Sequence, residues 1–427
     1  MFAMGMIKAE GANIMSKVSR LAMAAMACVA FASEARALDD APKQVLIEPR
    51  YTELSPATVR QWGANNLLMQ GLDQMGVGQG LEQAHIQLFG HIEGSYTWNF
   101  DNPAQDLNLG RVFDVEHNKP MVNQIDLNIA RPVDLQSHQF DVGGRVEMLY
   151  GGDSRFIHSN GLLDGSDFFH GPDYQFDLPQ AYVDVGVPIG NGVRFRAGKF
   201  LFFKQIDPNA SVFYSHSFIF GGALPFTNTG VTAYYPFTEN FSVEGGISRG
   251  WDQSLKDNNG AIDGLARVRY TVSDQTDLSV GAIVGPELDH DNSHYRSTID
   301  LALTQKVCPR GTVMLDAVYG YQAMPSDMRN AMWYGGAIYG VHQLNPYLAL
   351  GARGECYRDE EGLTTGLTQT LFEGTLGATV TPFPNDPIGM NLKIRPEVRF
   401  DYSTKHYFDG ASRHDQTTMA VDAIFNY

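Results

Sequence analysis

Lys393, Arg395, Glu397, Arg399 and Asp401 occupy every second position of one short segment, largely basic and acidic by turns. The spacing recurs elsewhere: Arg145 with Glu147, Arg194 with Arg196, Arg267 with Arg269, Arg353 with Glu355, and Arg296 four residues before Asp300. Asp184 stands between two valines. In an extended chain, residues two apart share a face, so each group projects one row of charge. Rows facing water would set up a transverse field that orients hydrated solutes and sets ion preference. Rows facing each other would form ion pairs that only stiffen a wall. For any single residue both readings stay open. A second cluster, Asp289-His290-Asp291 with His294, has metal-ligand residue types but no fixed ligand spacing, so a solvated loop is the better reading and no metal is expected. No phosphate-cradling loop or paired-cysteine zinc site points to a cofactor.

The elements that carry these rows read as strands. Apolar and charged residues alternate along short segments, as in 389–403, where Leu392, Ile394, Val398, Phe400 and Tyr402 oppose Lys393, Arg395, Glu397, Arg399 and Asp401. Sixteen such segments fill 85–427. A soluble sandwich also alternates, but here the polar face carries full charges along lengths of about ten residues, which transmembrane strands require. Connections alternate too. Those at 188–191, 274–275 and 308–310 are tight, whereas 101–120, 151–178, 203–227 and 286–293 are longer and mostly acidic. The expected fold is all-β: a transmembrane antiparallel barrel of about 16 strands, with short periplasmic turns and long extracellular loops. Met419, Val421, Ala423, Phe425 and Tyr427 end the chain on one apolar face, as closure against the first strand requires. Tyr96, Trp98, Tyr150, Tyr270, Tyr295, Tyr321, Trp333, Tyr347 and Tyr402 are candidates for aromatic girdles.

Composition removes other classes. A formal charge of −17 argues against a nucleic-acid binder, which needs a basic face. Three cysteines exclude a disulfide-built scaffold. Mean hydropathy of −0.22, with no apolar run of about 18 residues, excludes a bundle of membrane helices. Residues 1–37 read as a signal peptide: a basic Lys17–Arg20 segment, an apolar 21–32 stretch and Ala35-Arg36-Ala37, with Met15 a candidate true start. The expected location is the outer membrane of a Gram-negative bacterium. Residues 38–84 form a periplasmic leader, either flexible or helical from Ser55-Pro56 through Val59, Trp62, Leu67 and Leu68.

Several runs then resemble a known family. Ser95-Tyr-Thr-Trp-Asn-Phe100, Arg111-Val-Phe-Asp-Val-Glu-His-Asn118, Leu149-Tyr-Gly-Gly-Asp153, Ala197-Gly-Lys-Phe200, the stretch from Ser217 to Val231 and Gly250-Trp-Asp252 are similar to the OmpL-like β-barrel porin family. The resemblance is in order and spacing from about 86 to 260, and looser beyond. It implies an outer-membrane barrel that passes small solutes, and supplies neither substrate nor catalytic residues.

The leading expectation is a porin for passive diffusion of small hydrophilic solutes or ions through a charged aqueous lumen. Sixteen strands enclose more space than side chains alone fill. The pore-lining candidates are Arg145, Glu147, Asp184, Arg194, Arg196, Arg267, Arg269, Arg296, Asp300, Arg353, Glu355, Arg395, Glu397 and Arg399. Residues 203–227, with Lys204 and Asp207-Pro208-Asn209, are the expected constriction loop, folded inward opposite Arg194 and Arg196; 151–178 is the next candidate. The alternative is a barrel plugged by loops or leader, with an adhesion or envelope-structural role. An enzyme is not expected, because most histidines fall in loops, leader or turns. Expected partners are outer-membrane lipid and lipopolysaccharide, the latter bridged by cations at runs such as Asp359-Glu360-Glu361, and a homo-oligomer is compatible with the fold.

Overall fold

The computed structural model describes residues 66–164 and 171–427. The signal segment, the start of the leader and residues 165–170 lie outside the described residues. Sixteen strands follow in order: β1 (Gln87–Asn99), β2 (Pro120–Arg131), β3 (Asp141–Gly151), β4 (Gln175–Val187), β5 (Val193–Phe200), β6 (Asn228–Pro236), β7 (Phe241–Ser248) and β8 (Asp263–Ser273). The second half comprises β9 (Thr276–Leu288), β10 (Asp291–Cys308), β11 (Gly311–Gln322), β12 (Ala331–Asn345), β13 (Leu348–Asp359), β14 (Gln369–Val380), β15 (Leu392–Ser403) and β16 (Asp415–Asn426). Each pairs antiparallel with its chain neighbours, and β1 pairs with β16 from His91↔Asn426 to Asn99↔Thr418, closing the barrel. Closure leaves no unpaired edge in hydrocarbon.

Burial is inside out. Ile92, Ile125, Ile299, Val398 and Phe400 are exposed on the outer face, while Glu93, Asp126, Thr298, Glu397 and Arg399 beside them are buried. That parity is what a lipid-facing wall selects, because an Arg or Lys toward lipid at mid-depth costs about 2–4 kcal/mol. Among the described residues no helix is long and apolar enough to cross a membrane, so strands do the crossing.

Two expectations change. Residues 286–293 are not a long loop: β9 and β10 run on to a two-residue turn at 289–290, with His290 at φ 58°. His294 pairs there with Asp291 at 2.5 Å, and no group of three metal-ligand side chains converges among the described residues. Trp333 is not a girdle residue. It is buried and faces the lumen, donating Nε1–H to the Ala223 carbonyl at 3.2 Å, and Gly320 opposite has no side chain because a Cβ would meet the indole at 1.9 Å. The acidic run is used locally: Asp359 accepts from the amides of 362, 363, 364 and 365, and Glu360 from Arg358 and Tyr334.

Of the leader, two short helices are described: α1 (Leu67–Gln74) and α2 (Gly78–Gln83). Asn66 caps α1 through the Met69 amide and donates to the Leu88 carbonyl, and Met69 is buried. The pair therefore sits at the short-turn rim against the first residues of β1. Ser55, Val59 and Trp62 lie outside the described residues. Cys308 and Cys356 are free and exposed.

Candidate functional site

Residues 201–227, between β5 and β6, turn into the barrel. Leu201, Phe202, Phe203, Ile206, Phe213, Tyr214, Phe218, Ile219, Phe220 and Phe226 are all buried. The aromatic content expected of a constriction loop is thus the packing of this segment. Locally the chain folds through two capped turns. Asp207 accepts from the Asn209 amide at 2.9 Å and starts the 3-10 turn Pro208–Ala210. Ser217 caps a helix of five residues, α3 (Phe218–Gly222), by accepting from the Phe220 amide.

Little of this segment is regular structure, so its main-chain groups need partners from elsewhere. The wall supplies them. Arg395 donates to the Pro208 and Ser211 carbonyls at 2.7 and 2.8 Å. Arg353 donates to the Ser215 carbonyl at 2.7 Å, and Arg399 to that of His216. Glu397 accepts from the Ser215 amide, and Glu355 accepts from the Phe218 and Ile219 amides at 2.7 and 2.8 Å, facing the positive end of α3. On β1 and β2, Gln124 donates to the Ile206 carbonyl, and Tyr214 hydroxyl bonds Ser95 and Asn123. Asn209 accepts from the Lys393 ammonium at 2.8 Å. Burial opposes the charge on Asp207, but His91, the Asn209 amides and Lys393 outweigh it and hold the carboxyl below its ordinary value.

The clamp therefore comes from β13 and β15, with β1 and β2, and not from Arg194 and Arg196. Those two are occupied along their own wall: Arg196 meets Asp184 through two 2.9 Å bonds, and Arg194 meets Glu244 at 3.2 Å. Arg267 lies 3.8 Å from Glu244 and stacks on Phe202. Arg145 pairs with Glu147 at 3.1 Å, Arg296 donates to Gln322 and stacks on Trp251, Asp300 is buried on β10, and Arg269 is half-buried on the inward row of β8. Lys204 is buried over the Phe226 ring at 3.8 Å. The clamp arginines are themselves paired, Arg353 with Glu373, Arg395 with Asp422 and Arg399 with Asp401.

Sequence reading missed the second inward loop, 100–119. Arg111 is buried between Asp114 and Asp401, and Phe113 packs on Phe220 and Phe226 with φ at +73°. Its signal was a Val-Phe pair flanked by opposite charges inside a polar loop. From the 151–178 loop, Asp153 accepts from Asn123 and Gln124, and burial pushes its carboxyl up to about 7. Gly246-Ile-Ser-Arg-Gly250 has the spacing of a nucleophile elbow, but Ser248 lies within β7, paired with Gly230 and Asp263, and not on a strand-to-helix turn.

Two cavities border the segment. One of about 80 Å³ lies between Gln205, Ser211, His216 and Ser217 and the wall residues Ala302, Thr304, Asp316, Tyr339 and Arg353. The other, about 40 Å³, lies nearer the short-turn rim, among Asn209, Ser211, Gln343, Thr379, Lys393 and Arg395. Ser211 borders both.

The sequence profile of the family described as "Putative beta-barrel porin-2, OmpL-like" matches residues 85–427. No curated protein matches by sequence. Among solved structures, OprB of Pseudomonas putida is similar at TM-score 0.55 and 11% identity, covering 83% of this chain and 97% of that one. The anion-selective porin of Comamonas acidovorans gives 0.53 and 11%, covering 80% and 99%. The outer membrane channel DcaP of Acinetobacter baumannii gives 0.52 and 12%, covering 80% and 97%. At these identities the likeness is one of fold.

Proposed function

Because the chain belongs to the "Putative beta-barrel porin-2, OmpL-like" family, we propose that this outer-membrane porin passes small hydrophilic solutes by passive diffusion through a gap between residues 205–217 and β10–β15. The observation that carries the reading is the anchoring of residues 208–219 to β13 and β15. Charged side chains of β13 and β15 bind the main chain of this stretch directly, and the space left beside it is the pair of cavities that share Ser211. Residues 201–227 are then the constriction, and the charge rows act mainly by holding it. The field along the gap comes from Asp316 on one wall and Arg353, Lys393 and Arg395 on the other. Long loops meet the lipopolysaccharide leaflet in this orientation.

Single-channel conductance of the refolded mature protein in a planar bilayer tests it. Discrete steps well below those of an unobstructed barrel of this width are expected, together with liposome swelling by small sugars. A correctly folded barrel that stays silent and permits no swelling would defeat the porin reading and leave a plugged, structural barrel.

A further inference from the structure

The cavity nearer the short-turn rim has a one-signed lining. Its side chains include the cations Lys393 and Arg395, the hydroxyls of Thr379 and Thr381, and no carboxylate. The two cations differ in availability. Arg395 is buried, with Nε and Nη2 on Asp422 and Glu93 and Nη1 on the Pro208 and Ser211 carbonyls. Lys393 is half-buried, and its bonded partner is the neutral Asn209 side chain at 2.8 Å. An ammonium has three donors, so Lys393 keeps donors for a guest in the cavity it lines. Of the carboxylates nearby, Asp422 and Glu93 are occupied by Arg395, and Asp207 is bonded by the Asn209 amides with His91 at 4.0 Å, so it reaches Lys393 through its field and not through a bond.

We propose that Lys393, with Thr379 and Thr381, forms a binding site for small carboxylate-bearing solutes where the passage opens toward the short-turn rim. A carboxylate accepts a charge-assisted bond from the ammonium and ordinary bonds from the hydroxyls, a set that offers a cation no ligand charge. Such a site is loose enough to release its guest because one charge and two hydroxyls in a wet cavity bind weakly, as permeation requires. The inference rests on the channel reading above and adds the solute class to it.

The test is bilayer recording of wild type, Lys393→Gln, Lys393→Arg and the Thr379→Val/Thr381→Val pair, in a KCl gradient and then with added succinate as probe. Wild type should prefer chloride and show a concentration-dependent succinate block. Lys393→Gln should lower the chloride-to-potassium permeability ratio by roughly fivefold, the order set by one unit charge about 8 Å from the ion path in a water-like dielectric, acting oppositely on the two ions, and abolish the block. Lys393→Arg should retain both. The threonine pair should weaken the block about threefold, the order of one modest hydrogen bond, and leave the KCl ratio unchanged. Open channels in Lys393→Gln with an unaltered ratio and block would overturn the site. A silent wild type would instead overturn the channel reading, and the site with it.

Discussion

The two walls of the lumen treat the inward segment differently. Along β13 and β15, Arg353, Glu355, Arg395, Glu397 and Arg399 each bind its main chain. Along β10–β12, the side chains facing it across the larger cavity include Ala302, Thr304, Met314 and Tyr339, with Asp316 the carboxylate among them. An irregular segment inside a barrel is tolerated only where its backbone polar groups find protein or water. On the charged wall they find protein. On the plainer wall Trp333 takes up the Ala223 carbonyl, and beside residues 205–217 the gap leaves room for water, which is also room for solute. The difference teaches that charge inside this barrel is first a structural resource: it fixes residues 208–219 to β13 and β15, while Phe218, Ile219 and Ala223 pack with Val318, Trp333 and Ala337, and the passage is what remains beside 205–217.

The largest effects should follow from cutting the clamp. Arg353→Ala leaves Glu373 and the Ser215 carbonyl short of a partner, and Arg395→Ala does the same to Asp422, Glu93 and two loop carbonyls. Each should cost about 3–5 kcal/mol, because it strands a buried carboxylate. Unfolding in detergent would show this as an earlier transition, and limited proteolysis as new cleavage within 201–227. If both variants were as stable and as protected as wild type, the charged wall would not be what holds the loop.

A smaller effect, in a pH window, belongs to the same side. Asp153 bonds Asn123 and Gln124, the two β2 residues that in turn hold Tyr214 and the Ile206 carbonyl. Burial raises its carboxyl to about 7. Between about pH 4 and 7 the folded chain keeps a proton there that the unfolded chain releases, so stability should fall as pH rises through that window and level off above it. A change on the order of 1–3 kcal/mol is expected across the window. Asp153→Asn should flatten that part of the profile, measured by thermal unfolding at pH 4.5 and 8. A wild-type profile that rises over the window would contradict the assignment.

How much of this was legible in the sequence differs by level. The strands were legible because lipid imposes period two on every crossing segment, and the sixteen segments agree with β1–β16 apart from their ends. The β9–β10 turn was misjudged because the ladder runs past Tyr295 and Pro286, through a bulge, to polar Asp291 opposite Leu288, beyond the apolar core of each strand. Trp333 was misplaced by its residue type, although alternation with Tyr334 puts the two on opposite faces. That 203–227 turns inward was readable from its length, its aromatics and Asp207-Pro208-Asn209. Which wall grips it was not, since Arg353, Arg395 and Arg399 lie more than a hundred residues away and only closure of the barrel brings them round. Arg194 and Arg196 looked equally suitable, and only the structure shows them occupied by Glu244 and Asp184.

The smallest expected effect lies on the plain wall and tests the contrast from its other side. Thr304 lines the larger cavity from β10 and is half-buried. Thr304→Val exchanges a hydroxyl for a methyl of nearly the same size, so stability should move by no more than about 0.5 kcal/mol, as for substitutions away from packed or paired features. Conductance should fall modestly, because an apolar methyl replaces a group that water can bind along the gap. Paired measurements of unfolding and single-channel current separate the two quantities. A Thr304→Val barrel destabilised as strongly as Arg353→Ala, with its current untouched, would mean that residues 205–217 are packed against this wall as 218–224 already are, and that solute passes somewhere else.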